Sequence, residues 1–178
     1  MTTIPNTSTG APAETGRRHS ARSYRTSWTR TSAPSRTRGG RALIGFSAGG
    51  YGAVLIALHH LGSYSVIESW SGYFHPTNRR GDYALDLGSP AANRRASAHS
   101  FVHALQLGFR RRPTFFAFYV GRGDARFRAE NRRLHRELVA ARMPHVFEVY
   151  PGAHEQTLWN THARAWLRLA LARLAKAS

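Results

Sequence analysis

Cysteine is absent from the 178 residues, so a disulfide framework, a thiol nucleophile and a thiolate metal site are all excluded. Acidic residues are scarce: nine Asp and Glu stand against 26 Lys and Arg, a formal charge of +17. Lysine is almost missing too, with Lys176 the single example among the basic residues. An arginine bias this extreme, beside abundant Ala and Gly, is what a GC-rich coding sequence produces. The charge therefore speaks to solubility and non-specific association rather than to a specific nucleic-acid partner. No run approaches the roughly 18 apolar residues of a membrane span. The basic N-terminus lacks an apolar stretch behind it, so no secretory signal is visible, and a soluble, cytoplasmic protein is the default expectation.

Aliphatic side chains are nearly missing from residues 1–40, which are rich in Ser, Thr, Arg, Pro and Gly. Such a segment buries too little apolar surface to offset its ordering entropy, and it reads as a disordered tail. The text changes at Arg41. The run 42–47 (ALIGFS) predicts a buried strand, and 48–62 predicts a helix ended by Gly62. Residues 64–72 predict a second strand, and 113–121 (PTFFAFYVG) a third. Residues 125–143 predict an amphipathic helix, 145–152 a fourth strand and 158–175 a closing helix. Between the second and third strands, 73–113 reads as an excursion with one or two short helices, one of them starting at Ser89-Pro90. Strands alternating with helices imply βαβ units. The expected class is α/β, with a parallel sheet of about four strands over 41–178.

Gly45-Phe46-Ser47-Ala48-Gly49-Gly50 fits G-x-S-x-G with a strand before it and a helix after it. That context places Ser47 on a sharp, strained turn with its hydroxyl above the carboxyl edge of the sheet. Gly45, Gly49 and Gly50 leave room for strand and helix to approach. The Ala48 N–H, at the helix N-terminus, points toward a developing oxyanion. A serine nucleophile needs a base, and the base needs an orienting acid. His154, just past the fourth strand, and Asp124, just past the third, fit those roles in the order Ser, Asp, His. Asp82, Asp86 and Glu130 are rivals for the acid, and Asp124 could instead cap the helix that follows. Glu68 reads as a structural residue within a strand. His59-His60 and His99…His103 invite a metal reading, but no acidic residue sits between them as in H-E-x-x-H. A solvated helix face is the expectation for them, with no metal and no nucleotide cofactor.

The blocks GFSAGGYGA (45–53), ESWSGYF (68–74), GRGDARFRAENRRLHREL (121–138) and YPGAHEQTLW (150–159) resemble the esterase family that includes esterase D, enterochelin esterase and the antigen 85 mycolyltransferases. The likeness spans about residues 40–175. It implies a partial α/β-hydrolase fold, Ser47, Asp124 and His154 as a catalytic triad, and no cofactor. It also implies hydrolysis of small or lipid-like carboxylic esters, or acyl transfer. Trp159 matches a tryptophan commonly found after the family's histidine. Family members carry several strands before the serine turn, where this chain has residues 1–40. The expectation is a truncated or frame-shifted copy, with an exposed sheet edge open to self-association. An impaired fragment or pseudo-enzyme is the second reading, and a basic nucleic-acid-binding protein the third.

Overall fold

Four short hydrophobic segments of the chain lie side by side in a computed structural model that describes residues 37–174. They are β1 (Ala42–Phe46), β2 (Val66–Trp70), β3 (Phe115–Gly121) and β4 (Val146–Tyr150). The sheet order is β1-β2-β3-β4, and every pairing is parallel. Consecutive strands are therefore neighbours, each reached by a crossover. The crossovers carry α1 (Ala48–His59) after β1, α2 (Pro90–Ala96) and α3 (Val102–Arg111) after β2, and α4 (Arg128–Ala140) after β3. Helix α5 (Gln156–Leu171) closes the described chain.

Both faces of the sheet are covered, so its central strands read as unbroken apolar runs rather than alternating ones. All five residues of β2 are buried, as are six of the seven in β3. One core layer packs Val54, Leu58, Ile67, Leu105, Phe116, Phe118, Leu134 and Leu138. The opposite layer packs Trp70, Ala117, Tyr119, Leu158, Trp159 and Trp166, so among the described residues α5 covers that side of β2 and β3. Trp166 stacks on Tyr119 at 4.6 Å, supplying large apolar area with few rotatable bonds.

The expected α/β order is present, and the differences lie at the ends of elements and in β1. That strand, expected to be buried, is half-buried with Phe46 exposed, since it is the end strand of the sheet among the described residues. Helix α1 stops at His59, and Gly62 follows in the left-handed region at φ +93°. Helix α4 begins at Arg128 rather than 125, because the Asp124 carboxylate holds residues 124–127 in a turn of their own. Ser89 caps α2 as its sequence predicts, its Oγ accepting from the Ala92 N–H at 3.2 Å with Pro90 in the first turn. Residues 38–40 form a 3-10 turn, whose Arg38 guanidinium donates to the carbonyls of Arg112 and Pro113. The expectation for the rest of the tail lies outside the described residues. Among the described residues, β1 pairs with β2 alone. No helix among them is long and apolar enough to cross a membrane.

Candidate active site

The turn between β1 and α1 brings Ser47 to the carboxyl edge of the sheet. Its backbone sits at φ 52°, ψ −122°, a sparsely populated conformation for any residue with a Cβ. Such geometry costs on the order of 1–3 kcal/mol, and the surroundings hold it in place. The Ser47 N–H donates to the Trp70 carbonyl at 2.8 Å, continuing the β1–β2 ladder past the strand end. The Ser47 carbonyl accepts from the Tyr51 N–H at 3.1 Å, which starts α1 at once.

Glycines make that turn possible, though not all three of those in the motif. A Cβ on Gly45 would lie 2.3 Å from the Gly49 carbonyl oxygen, and one on Gly50 would lie 2.6 Å from Ser69 Oγ. A Cβ on Gly49 would meet nothing within 4 Å. Steric need thus falls on Gly45 and Gly50; Gly49 contributes the backbone that Gly45 presses against. Ala48 is the first residue of α1, so its N–H lies among the donors that no intrahelical carbonyl can reach.

Two further loops converge on this edge because they are laced together. The Arg122 N–H donates to the Tyr150 carbonyl at 2.7 Å, and the Gly123 N–H to the Gly152 carbonyl at 2.7 Å. The approach is close enough that a Cβ on Gly121 would sit 2.6 Å from the Gly152 oxygen. Gly152 itself takes φ +121°, a conformation that glycine adopts freely. Asp124 and His154 are thereby fixed on adjacent loops beyond β3 and β4.

The resulting contacts form a chain. The Ser47 hydroxyl lies 3.0 Å from His154 Nε2, and His154 Nδ1 lies 2.9 Å from Asp124 Oδ2. Asp124 is fully buried, and its other oxygen accepts from the N–H groups of Arg126 and Phe127 at 3.1 and 3.0 Å. Three donors thus surround the carboxylate and satisfy it in its buried position. The same residue both caps the turn before α4 and faces the imidazole, so capping is not an alternative to that contact. The carboxylate leaves Nδ1 of His154 protonated and Nε2 free to accept from Ser47.

The imidazole is clamped by aromatic edges, from Phe127 at 5.0 Å and Trp159 at 5.2 Å, each T-shaped to its ring. Trp159 is itself anchored, its Nε1–H donating to Ser71 Oγ at 3.2 Å. Ser71 takes φ 50° at the end of β2. Phe127, Ser71, Gly121 and Gly152 were not signalled by the sequence motifs, although Gly121 and Gly152 flank the two loops as visible Gly-rich punctuation.

The rival acids lie elsewhere. Asp82 and Asp86 are exposed, and Asp86 accepts from Asn93 and Gly88. Glu68 is fully buried in β2, bonded to Trp70 Nε1 at 3.0 Å and approached by the Tyr119 hydroxyl at 3.4 Å. Burial without a cation pushes its carboxyl up to about 7. Glu130 faces His75 and His99. The expectation of a solvated helix face fails for His99: it lies in the 3-10 turn Ala98–Phe101 with its side chain 7% exposed, bonded to Glu130 and Glu137. Long-range acidic partners on α4 override the local spacing. His103 is exposed, and His59 meets the Arg95 carbonyl at 3.0 Å.

With the fold and these contacts in hand, the comparisons are decisive at family level. The family described as "Putative esterase" matches residues 26–165. The chain belongs to this esterase family. Its fold is shared with a ferulic acid esterase, at 20% identity and a TM-score of 0.63, covering 78% of this chain and 54% of the other. It is shared also with an S-formylglutathione hydrolase from Staphylococcus aureus, at 19% identity and 0.62, covering 77% and 53%. A third similar structure is the capsule O-acetyltransferase of Neisseria meningitidis serogroup A, at 17% identity and 0.56, covering 78% and 58%. The chain spans about half the length of these relatives. No curated protein matches it.

Proposed function

We propose that this chain carries the catalytic residues of a serine esterase, with Ser47 as nucleophile, His154 as general base and Asp124 as its orienting acid. The observation that carries the reading is the 3.0 Å approach of Ser47 Oγ to His154 Nε2, with Asp124 Oδ2 behind the ring at 2.9 Å. These are hydrogen-bond distances for proton transfer between nucleophile and base.

The chemistry follows from the positions. Ser47 Oγ attacks the ester carbonyl carbon while its proton passes to His154 Nε2, and the carbonyl π electrons move to oxygen. The Ala48 N–H, at the positive end of α1, faces the developing negative charge. As the tetrahedral adduct collapses, the C–O bond to the alcohol breaks, and His154 returns its proton to the leaving alkoxide. An acyl-Ser47 ester remains. Water, or an acceptor alcohol, then repeats the sequence with His154 again as base. Asp124 stays ionised throughout and stabilises the imidazolium.

The substrate class is a carboxylic ester with a small or lipid-like acyl group. Hydrolysis and acyl transfer use the same residues and differ in what reaches the acyl-enzyme first; the similar structures include a named hydrolase and a named acetyltransferase. Mixing the protein with p-nitrophenyl acetate, quenching in acid and mapping the acetyl group by peptide mass tests the reading. Acetate on Ser47 is expected, and it disappears in His154→Ala. Folded protein that acquires no acetyl group at Ser47 overturns the proposal.

A further inference from the structure

Away from Ser47, a second cluster gathers where the excursion after β2 meets α4. His75 comes from the loop beyond β2 and His99 from the 3-10 turn before α3, while Glu130 and Glu137 lie seven residues apart on α4. This spacing puts the two carboxylates on one face of the helix. Glu130 Oε1 contacts His75 Nδ1 and lies 2.8 Å from His99 Nε2. The three atoms all lie within 4.8 Å of one another.

We propose that His75 Nδ1, His99 Nε2 and the Glu130 carboxylate form a binding site for one divalent transition-metal ion of the zinc class. The donor set is one argument: two imidazoles and a carboxylate suit zinc, and three protein ligands leave a position for water. Bonds of about 2.0–2.1 Å to a tetrahedral ion place its ligand atoms roughly 3.3 Å apart. Both rings now lie closer than that to Glu130, so both contacts open on binding; His75, on a loop with its side chain 23% exposed, is freer to move than His99 at 7%.

The surroundings of His99 are the second argument. Its Nδ1 lies 2.5 Å from Glu137 Oε2, and Glu137 Oε1 in turn accepts from Arg133 Nε at 2.9 Å. A carboxylate behind the far ring nitrogen is the arrangement that orients a metal-bound imidazole and raises its basicity. An ordinary ion pair between His99 and Glu130 would need no second carboxylate. Access is the third argument. An open cavity of about 440 Å³, bordered by His75, Pro76, Asp86, Asn93 and Arg133, brings solvent to the His75 side of the cluster.

The ion takes the place of the protons now shared with Glu130. His99 Nε2 gives up its proton to solvent, His75 ligates as the neutral tautomer with its proton on Nε2, and His99 Nδ1–H keeps its bond to Glu137. The site ties the excursion to α4, one turn beyond Phe127, whose ring edge packs against His154. Its role is that of a clamp on the wall of the active site.

Calorimetric titration of tag-free, chelator-stripped full chain with Zn²⁺ tests the proposal. One ion per chain is expected, with affinity reduced by on the order of 10²-fold in His75→Ala and by about 10-fold in Glu137→Gln, which leaves all three ligands in place. His135→Ala leaves the affinity unchanged, since the His135 ring meets His145 at 2.8 Å and supplies no ligand to the site. Should a variant unfold, Co²⁺ added to the unaltered chain decides the matter: visible d–d absorption of a low-coordinate nitrogen–oxygen site supports the proposal, and the pale spectrum of the aqueous ion overturns it. Absence of zinc binding overturns it as well, as does binding that survives in folded His75→Ala.

Discussion

Three histidines of this chain sit against carboxylates, and two of them, His154 and His99, are held in contrasting ways. His154 has Asp124 on one ring nitrogen and the Ser47 hydroxyl on the other. His99 has a carboxylate on each, Glu130 on Nε2 and Glu137 on Nδ1. A ring flanked by one acid and one hydroxyl keeps a lone pair that can accept a proton. A ring flanked by two acids has both nitrogens engaged; burial lowers its pKa, and the hydrogen bonds and charge of Glu130 and Glu137 outweigh that effect and raise it. Glu68 completes the series: it has no imidazole at all, and its carboxyl is pushed up to about 7. Depth governs the Glu68 carboxyl, whereas the other acids are distinguished by their partners.

The comparison breaks first at Ser47. Ser47→Ala is expected to lower the rate of acyl-enzyme formation by on the order of 10⁴–10⁶, since no other nucleophile is oriented toward His154 among the described residues. Stopped-flow hydrolysis of an activated ester measures it, and a loss under tenfold would place the reacting group elsewhere. Asp124→Asn follows, at about 10⁴-fold, because an amide in this position favours the wrong tautomer of His154. Here the rate should fall while circular dichroism stays native; equal loss of both would make Asp124 a folding residue only.

Glu68 sharpens the contrast through pH. Its folded pKa lies above the ordinary glutamate value, so the folded chain binds the proton more tightly than the unfolded chain. Stability is therefore greatest below pH 4.5 as far as this group is concerned, and falls as the pH rises toward and through about 7. The full loss is about 3 kcal/mol. Glu68→Gln should flatten that slope and raise the melting temperature at pH 8; an unchanged pH dependence would show that Glu68 is charged in the fold. The smallest effect expected is that of His99→Gln on labelling: a change of roughly threefold or less in reaction at Ser47, because His99 touches none of the reacting groups, together with a lowered melting temperature from two acids left facing each other. A loss of labelling equal to that of Asp124→Asn would erase the distinction between the two histidines.

Much of this site could be read without coordinates because its parts are punctuated locally. A strand, a glycine-flanked serine and a helix specify the turn at Ser47. Asp124 and His154 each follow an apolar run that ends in Gly, and their order in the chain leaves few other pairings. What could not be read depends on contacts across the fold. The tight approach of Gly121 to Gly152 arises only when β3 and β4 are neighbours. His99 looked like a residue for solvent because its partners lie 31 and 38 positions away on α4. Helix α4 starts late because a side chain, Asp124, claims the two N–H groups that would have opened it.

Reaction of the folded chain with a fluorophosphonate probe, followed by mapping of the modified peptide, bears most directly on the paired arrangement of Ser47 and His154. The account predicts stoichiometric phosphonylation of Ser47 that is lost in His154→Ala while His99→Gln retains it. Probe found on another residue, or none on folded protein, would contradict it.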